Sequence, residues 1–152
     1  MTQGPAPRPL SDEALVDLLG KQQFGTLATN KRSGHPHLTT MLYHWDPATR
    51  VVRFSTTADR VKPQHLSRDT RAAVHVQGPD VWSFAVAEGE AEVSAVTTEP
   101  GDAVGRELLS MLPEAAKPQD PAAFLTQQVA ERRVVIRLTV QRLYGTALDI
   151  EG

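Results

Sequence analysis

The 152-residue chain contains no cysteine. That absence excludes disulfides, thiolate metal centres and cysteine nucleophiles together. It also suits a reducing compartment, and the cytoplasm is the expected location. No apolar run approaches the roughly 20 residues that a bilayer span requires, and the opening MTQGPAPRPL lacks the apolar centre of a signal peptide. No membrane association is expected. Charge excess is missing as well. A formal net charge of −2 gives no general attraction to nucleic acid or to anionic lipid, so any basic site must be local. There is no Ser-His-Asp set or paired-carboxylate arrangement with specific spacing, and hydrolytic chemistry is left without a signature. Repeats and low-complexity tracts are absent too.

What is present reads as one domain over residues 11–150 behind a flexible, proline-rich arm over residues 1–10. Ser11 is a suitable helix N-cap, with Asp12 and Glu13 favourably placed against the helix dipole. Leu15, Val16, Leu18 and Leu19 follow as one apolar stripe, and Gly20 offers a stop. The pattern then changes to β. FGTLAT and HLTTMLYHW alternate about the turn NKRSGHP, and DPATR turns again into VVRFST, which predicts an antiparallel meander. VKPQHLS reads as a short helical turn and RAAVHVQ as a further strand. WSFAVAEGEAEVSAV is a long alternating run whose Gly89 predicts a bulge. Two short helices are expected over 102–111 and 121–131, joined by PEAAKPQD, before the final strand RVVIRLTVQRLYGTAL. Six or more strands with few helices predict a mostly β fold, a small β-barrel with peripheral helices.

The stretch FSTTADRVKPQHLSRDTRA carries the clearest chemistry. Arg60 supplies a planar fork for phosphate oxygens, and Lys62 a compact charge with three donors. Ser55, Thr56 and Thr57 add neutral donors, and a helix starting near Pro63 would aim free backbone N–H groups at an anion. A solvated loop is the alternative, and spacing alone leaves both readings open. Leu38, Thr40 and Leu42 point to one side of their strand, and Thr39, Met41 and Tyr43 to the other. Thr39 and Thr40 are candidates to meet a flat ring, against the plain β-propensity of threonine. His35 and His37 share one strand face, as metal ligands can, but no third ligand accompanies them. They read as a pair exposed at the turn, and no metal site is assigned. Trp82 opens a strand and offers an aromatic face to a planar ligand. Tyr144 reads as core. Arg132 and Arg133 alternate faces at a strand start, so one can balance an anion while the other meets solvent. Asp69 is expected to pair with Arg68 or Arg71.

The blocks FGTLATNKRSGHPHLTTMLYHWD, VVRFSTTADRVKPQHLSRDTRAAVHV, WSFAVAEGEAEV and ERRVVIRLTVQRLYG occur in one order. In that order they resemble the pyridoxamine 5′-phosphate oxidase-like split barrels that bind flavins, and most of all the branch that binds the deazaflavin F420. The likeness runs from about residue 11 to residue 147. It implies a homodimer of FMN-binding split-barrel type with cofactor at the interface. Phosphate would lie on Arg60 and Lys62, and the ring across the strands near Thr39 and Ser55. Trp82 and Arg132 or Arg133 would reach the same site, and Lys31, Arg32, Arg132 and Arg133 are candidates for an acidic cofactor tail. His65 departs from the family pattern, which carries asparagine there. It can donate to phosphate or make binding pH-dependent. The implied activity is hydride transfer from reduced F420 to an electron-poor double bond of a small molecule. Solvent can protonate the product, and Tyr43 or His44 is the candidate if the protein does so. The rivals are an FMN-dependent oxidase or reductase of the same fold, and a cofactor-binding protein without turnover. Pyridoxamine 5′-phosphate oxidase activity itself is not expected, because the fuller set of basic residues for such a substrate is missing.

Overall fold

In the computed structural model, residues 4–149 are described. The chain order is β1 (Arg8–Pro9), α1 (Asp12–Lys21), β2 (Phe24–Asn30), β3 (Pro36–Leu42), β4 (His44–Asp46), β5 (Val51–Thr57), α2 (Val61–Arg68), β6 (Arg71–Gln77), β7 (Phe84–Val93), α3 (Ala103–Ser110), α4 (Ala122–Ala130), β8 (Arg133–Tyr144) and β9 (Thr146–Ala147). Seven strands form one antiparallel sheet in the order β3-β2-β6-β7-β8-β5-β4.

The two edges of that sheet are one stretch of chain. Strand β3 pairs with β2, while β4, a single residue further on, pairs with β5 at the opposite edge. Tyr43 makes the break. Its N–H donates to the Gln23 carbonyl at 2.9 Å, and its hydroxyl donates to the Leu19 carbonyl at 2.6 Å. Both bonds hold the strand against α1 while it changes partners, and the sheet curls into a split β-barrel. The expected three-strand meander is thereby divided. HLTTM stands at one edge and HWD at the other, with VVRFST paired beside HWD, because the predicted strand HLTTMLYHW breaks at Tyr43.

Period-two alternation sorts the sheet into an inner and an outer face. Leu27, Val52, Phe54, Val74, Val76, Ile136 and Leu138 are fully buried inside, and Leu15, Leu18 and Leu19 of α1 pack with them. Ser11 caps α1 by accepting from the Ala14 N–H at 3.1 Å. The helix passes Gly20 and ends at Gln22, whose extended backbone (φ −97°, ψ 165°) makes a glycine stop unnecessary. Gly89 sits at the expected bulge, where the β7–β8 register shifts. A Cβ there would come within 1.9 Å of the Thr139 carbonyl oxygen, so only glycine fits. Gly34, at φ 90°, closes the β2–β3 turn.

Within the N-terminal arm, Arg8–Pro9 pairs with Thr146–Ala147, and Arg8 meets Asp149 at 3.1 Å. Two readings are corrected. The strand begins at Phe84, because Gly78 to Ser83 form a turn in which Asp80 accepts the Trp82 N–H at 2.8 Å. Tyr144 is exposed rather than core, since its register places it on the outer face with Arg142 over its ring at 5.1 Å.

The two helices expected after residue 97 are α3 and α4. Asp102 caps α3, accepting from the backbone N–H groups of Gly105, Thr98 and Glu99 and from the Thr97 hydroxyl. Those donors hold its carboxyl well below the ordinary carboxylate range. A single carboxylate fixes α3 to the barrel: Glu107 accepts from Arg53 at 2.8 Å and from Arg137 at 2.6 and 2.8 Å.

Candidate functional site: an anion-facing helix and a roofed cavity

The predicted site residues divide into three groups and one outlier. Strand alternation causes the first division. On β5, Thr56 faces the interior while Ser55 faces outward. On β3, Thr39 lies with half-buried His37 and Met41, while Thr40 lies with exposed Leu38 and Leu42.

The first group is inward, where α2 covers the end of the barrel. Thr39, Thr56, Lys62 and His65 belong to it. Lys62 is only 7% exposed, yet no carboxylate pairs with it among the described residues. Burial first, and neighbouring Arg60 second, push its pKa below the ordinary lysine value. His65 is likewise buried, with Nδ1 2.9 Å from the Thr29 hydroxyl and its ring centroid 5.3 Å from that of His37. Burial is the main cause of its lowered pKa, followed by the positive potential of His37, Arg68, Lys31 and Lys62. Two buried atoms nearby in the fold, His37 Nδ1 and Thr39 Oγ1, have no hydrogen-bond partner among the described residues. The expected exposed histidine pair is therefore split. His35 precedes the strand and meets solvent, whereas His37 lies on the inner face of β3, against His65.

The second group is a cavity of about 410 Å³ on the outer face, between the β3–β4 junction, β5 and the two helices. Thr40, Ser55 and Arg133 line it, with Leu108, Met111, Phe124 and Gln128 from the helices. Arg133 is not a free cation, because Glu131 meets it at 2.7 Å. Tyr43 and His44, the candidate proton donors, also line this cavity. Burial raises the Tyr43 pKa above its ordinary value, and its proton is engaged by the Leu19 carbonyl, so it is a poor acid. Burial and then Arg53 lower the His44 pKa, which leaves a neutral imidazole at pH 7.

The third group is the rim. Arg60 is the exposed N-cap residue of α2, and Arg132 is exposed at φ 53°. Both lower the pKa of Asp59, after the Thr57 hydroxyl and a backbone N–H. The Ala58 N–H donates to the Arg132 carbonyl at 2.9 Å, which fastens this rim together. Trp82 is the outlier, half exposed in the β6–β7 turn.

Of the four cations suggested for an acidic tail, Lys31 and Arg32 line a hollow of about 540 Å³, and Arg68 and Arg71 join them. Arg132 and Arg133 do not. Arg71 is held by Asp69 at 2.7 Å, the pairing expected for that carboxylate. Sequence reasoning missed Arg68, Gln128 and Phe124 as site residues. Phe124 and Gln128 stand four apart on one helix face, and a polar residue sharing an apolar stripe was the available signal. No cluster of three His, Asp or Glu side chains able to hold a metal is present among the described residues. No described helix is long and apolar enough to cross a membrane.

A family model described as pyridoxamine 5′-phosphate oxidase matches residues 11–147. An F420H(2)-dependent biliverdin reductase of Mycobacterium tuberculosis is 27% identical over 139 residues, which is 91% of this chain and 89% of that protein. Among solved structures, a conserved hypothetical protein of Mycobacterium tuberculosis superposes with a TM-score of 0.74 at 24% identity, over 99% of this chain and 98% of that one. A structure described as an F420 reductase superposes with a TM-score of 0.59 at 23% identity, over 84% and 93% of the two chains.

Proposed function

The chain belongs to the pyridoxamine 5′-phosphate oxidase family, and on that premise we propose that it is a reductase using the deazaflavin F420 on a small unsaturated molecule. The observation that carries this reading is Lys62. Its side chain is largely buried, its charge is partly desolvated and no carboxylate lies beside it among the described residues, so an incoming anion would complete it. Arg60 caps the same helix, whose first N–H groups have no side-chain partner. This donor set fits the phosphate of a flavin-like cofactor. The hollow bordered by Lys31, Arg32 and Arg68 fits an acidic tail beyond it. The name of the mycobacterial relative supports F420 over FMN.

Bound in its reduced form, F420 would supply a hydride to an electron-poor double bond. Lys62 and Arg60 would hold the phosphate, and the ring would extend from it across the outer face of the sheet at Ser55 and Thr40. The cavity lined by Thr40 and Ser55 would receive the second molecule on the same face as the ring, within reach of the hydride. Since Tyr43 is engaged with Leu19, water is the proton source in this reading.

The working unit is a homodimer. Phe24, Leu38, Leu42 and Tyr144 are between 39% and 61% exposed on the outer face, where Phe24 and Leu42 are direct register partners. An apolar stripe of that kind suits a second copy of the chain. Trp82, with Val81 beside it, would then reach the partner's site from its exposed turn.

Fluorescence titration of the purified chain with F420 and with FMN tests the cofactor assignment. Saturable F420 binding that weakens with added salt is expected. FMN binding alone would transfer the reading to an FMN enzyme of the same fold. Saturation by neither would overturn both. Reversing charge with Arg60→Glu and Lys62→Glu should abolish binding while circular dichroism stays native.

A further inference from the structure

We propose that the cavity roofed by α3 and α4 selects an uncharged, flat, largely apolar molecule that offers a carbonyl or amide group, and that Gln128 reads that group. This deepens the reductase reading and rests on it for calling the occupant a hydride acceptor.

The lining decides the class. Leu108, Met111, Leu112 and Phe124 form the roof, and Met41 and Leu42 lie across from them. Nothing there attracts net charge. Arg133 is neutralised by Glu131 at 2.7 Å, and its remaining contact is the Ser55 hydroxyl at 3.5 Å. His44 is neutral at pH 7 because burial and Arg53 disfavour its cation, with Lys117 acting in the same direction and Asp46 opposing. The Tyr43 hydroxyl is already committed to a backbone carbonyl. Bringing a carboxylate into this space would remove its hydration without supplying a free cation, a cost that neutral molecules avoid.

Apart from Tyr43, the uncharged polar groups of the lining are Thr40, Ser55, His44, whose enclosed Nδ1 has no partner among the described residues, and Gln128, the one on the helical roof. It is 9% exposed, lines the cavity, and has no hydrogen-bond partner for its amide among the described residues. The amide is not among the enclosed unpaired atoms, so it opens to solvent and can exchange water for a ligand atom at little cost. A carboxamide offers donors and an acceptor together, which matches a carbonyl or lactam edge better than a lone ether or halogen. A cavity of about 410 Å³ lies within the range of small-molecule sites. The position of Gln128 is set by chain order: α4 ends at Ala130, and β8, with Arg133 facing the cavity, begins three residues later.

Two probes of equal shape separate the readings: 2-naphthamide, neutral with an amide edge, and 2-naphthoate, its anionic counterpart. Binding to the full chain is measured by calorimetry and ligand-detected NMR. The expected result is saturable naphthamide binding, at least tenfold tighter than naphthoate, that Gln128→Leu weakens at least tenfold. Leu112→Trp, which fills the cavity without touching the polar group, should abolish naphthamide binding even if Gln128→Leu perturbs α4. F420 titration of the Gln128→Leu protein should match the unaltered chain. Equal or tighter naphthoate binding would overturn the proposal, as would naphthamide binding indifferent to Gln128, no naphthamide binding, or a Gln128→Leu change that weakens F420. Failure of the unaltered chain to bind F420, with naphthamide binding intact, would instead remove the cofactor reading alone.

Discussion

Glu107 is the residue whose removal should damage the cavity without touching its lining. It lies on α3, immediately before buried Leu108, and its carboxylate takes one hydrogen bond from Arg53 and two from Arg137. Arg53 and Arg137 are direct register partners on β5 and β8, so without Glu107 two guanidiniums face one another across adjacent strands. Their side chains are 21% and 27% exposed and that of Glu107 is 17% exposed, which places the cluster between a surface network and a buried one. Removing one partner of a buried pair costs about 3–5 kcal/mol. Partial exposure argues for the low end, as do the reserve contacts of Arg53 to Asp46 at 3.8 Å and Arg137 to Glu92 at 3.3 Å. Glu107→Gln is therefore expected to lose roughly 3 kcal/mol, or about 6–12 °C in Tm for a chain of this length.

The pH dependence carries a definite sign. Hydrogen bonds from Arg137, then from Arg53, hold the Glu107 carboxyl below its ordinary value against the opposing effect of burial. A depressed acid contributes its full stability above the unfolded pKa and loses it as pH falls through the folded one. The gap between the unaltered chain and Glu107→Gln should thus be widest at neutral pH and close in acid. Thermal melts by circular dichroism at pH 7 and in acid read it directly. A neutral-pH difference under about 0.5 kcal/mol would refute the reasoning, as would a gap that persists unchanged in acid. Replacing the whole cluster, with Arg53→Met, Glu107→Leu and Arg137→Met, should recover most of the loss, because it removes the uncompensated cations as well.

Lys62→Met should leave the thermal stability of the cofactor-free chain unchanged or raised, since it deletes an unpaired buried charge. F420 affinity should fall about 10–100-fold, the worth of a hydrogen bond to a charged group, and an unaltered dissociation constant by fluorescence would contradict the assignment. His65 is disfavoured as a cation in the fold, so the unfolded chain takes up its proton first. Stability should therefore decline as pH falls below 6.5 and hold above it, and His65→Asn should flatten that part of a denaturant-derived stability curve. An identical slope in both proteins would clear His65 of this role. Leu42→Arg, on the apolar outer stripe, should convert a species of about twice 16.6 kDa to the single-chain mass in light scattering. A single-chain mass before the change would dismiss the dimer.

The strands were legible because each alternates over a half-buried face, as VVRFSTT does with Val52, Phe54 and Thr56 inside. Gly89 and the Ser11 cap were legible because local backbone geometry demands those residue types. Closure of the barrel was not, because nothing local in HLTTMLYHWD marks Tyr43 as the point where one strand exchanges β2 for β5. That exchange depends on Gln23 and Leu19, which lie earlier in the chain. It also decides the site. Strand alternation puts the neighbours Ser55 and Thr56 on opposite faces, and likewise Thr39 and Thr40, and closure makes one of those faces the interior. A row of hydroxyls that looked like one phosphate cradle becomes one wall with two functions.

Cations follow the same logic. Arg60, Lys62, Arg132 and Arg133 look equivalent in sequence, and what separates them is where carboxylates fall. Glu131 silences Arg133, and Asp59 lies by Arg60 and Arg132. Lys62 is buried without a carboxylate beside it among the described residues. A chain of net charge −2 can thus hold a strong anion site by leaving a few cations unmatched inside the fold. The same pairing makes the neighbouring cavity neutral, so the two halves of the site should prefer molecules of opposite character. An anionic cofactor on the α2 side and an uncharged acceptor beneath α3 and α4 would then have no reason to compete. Raising salt should weaken the first and leave the second unchanged.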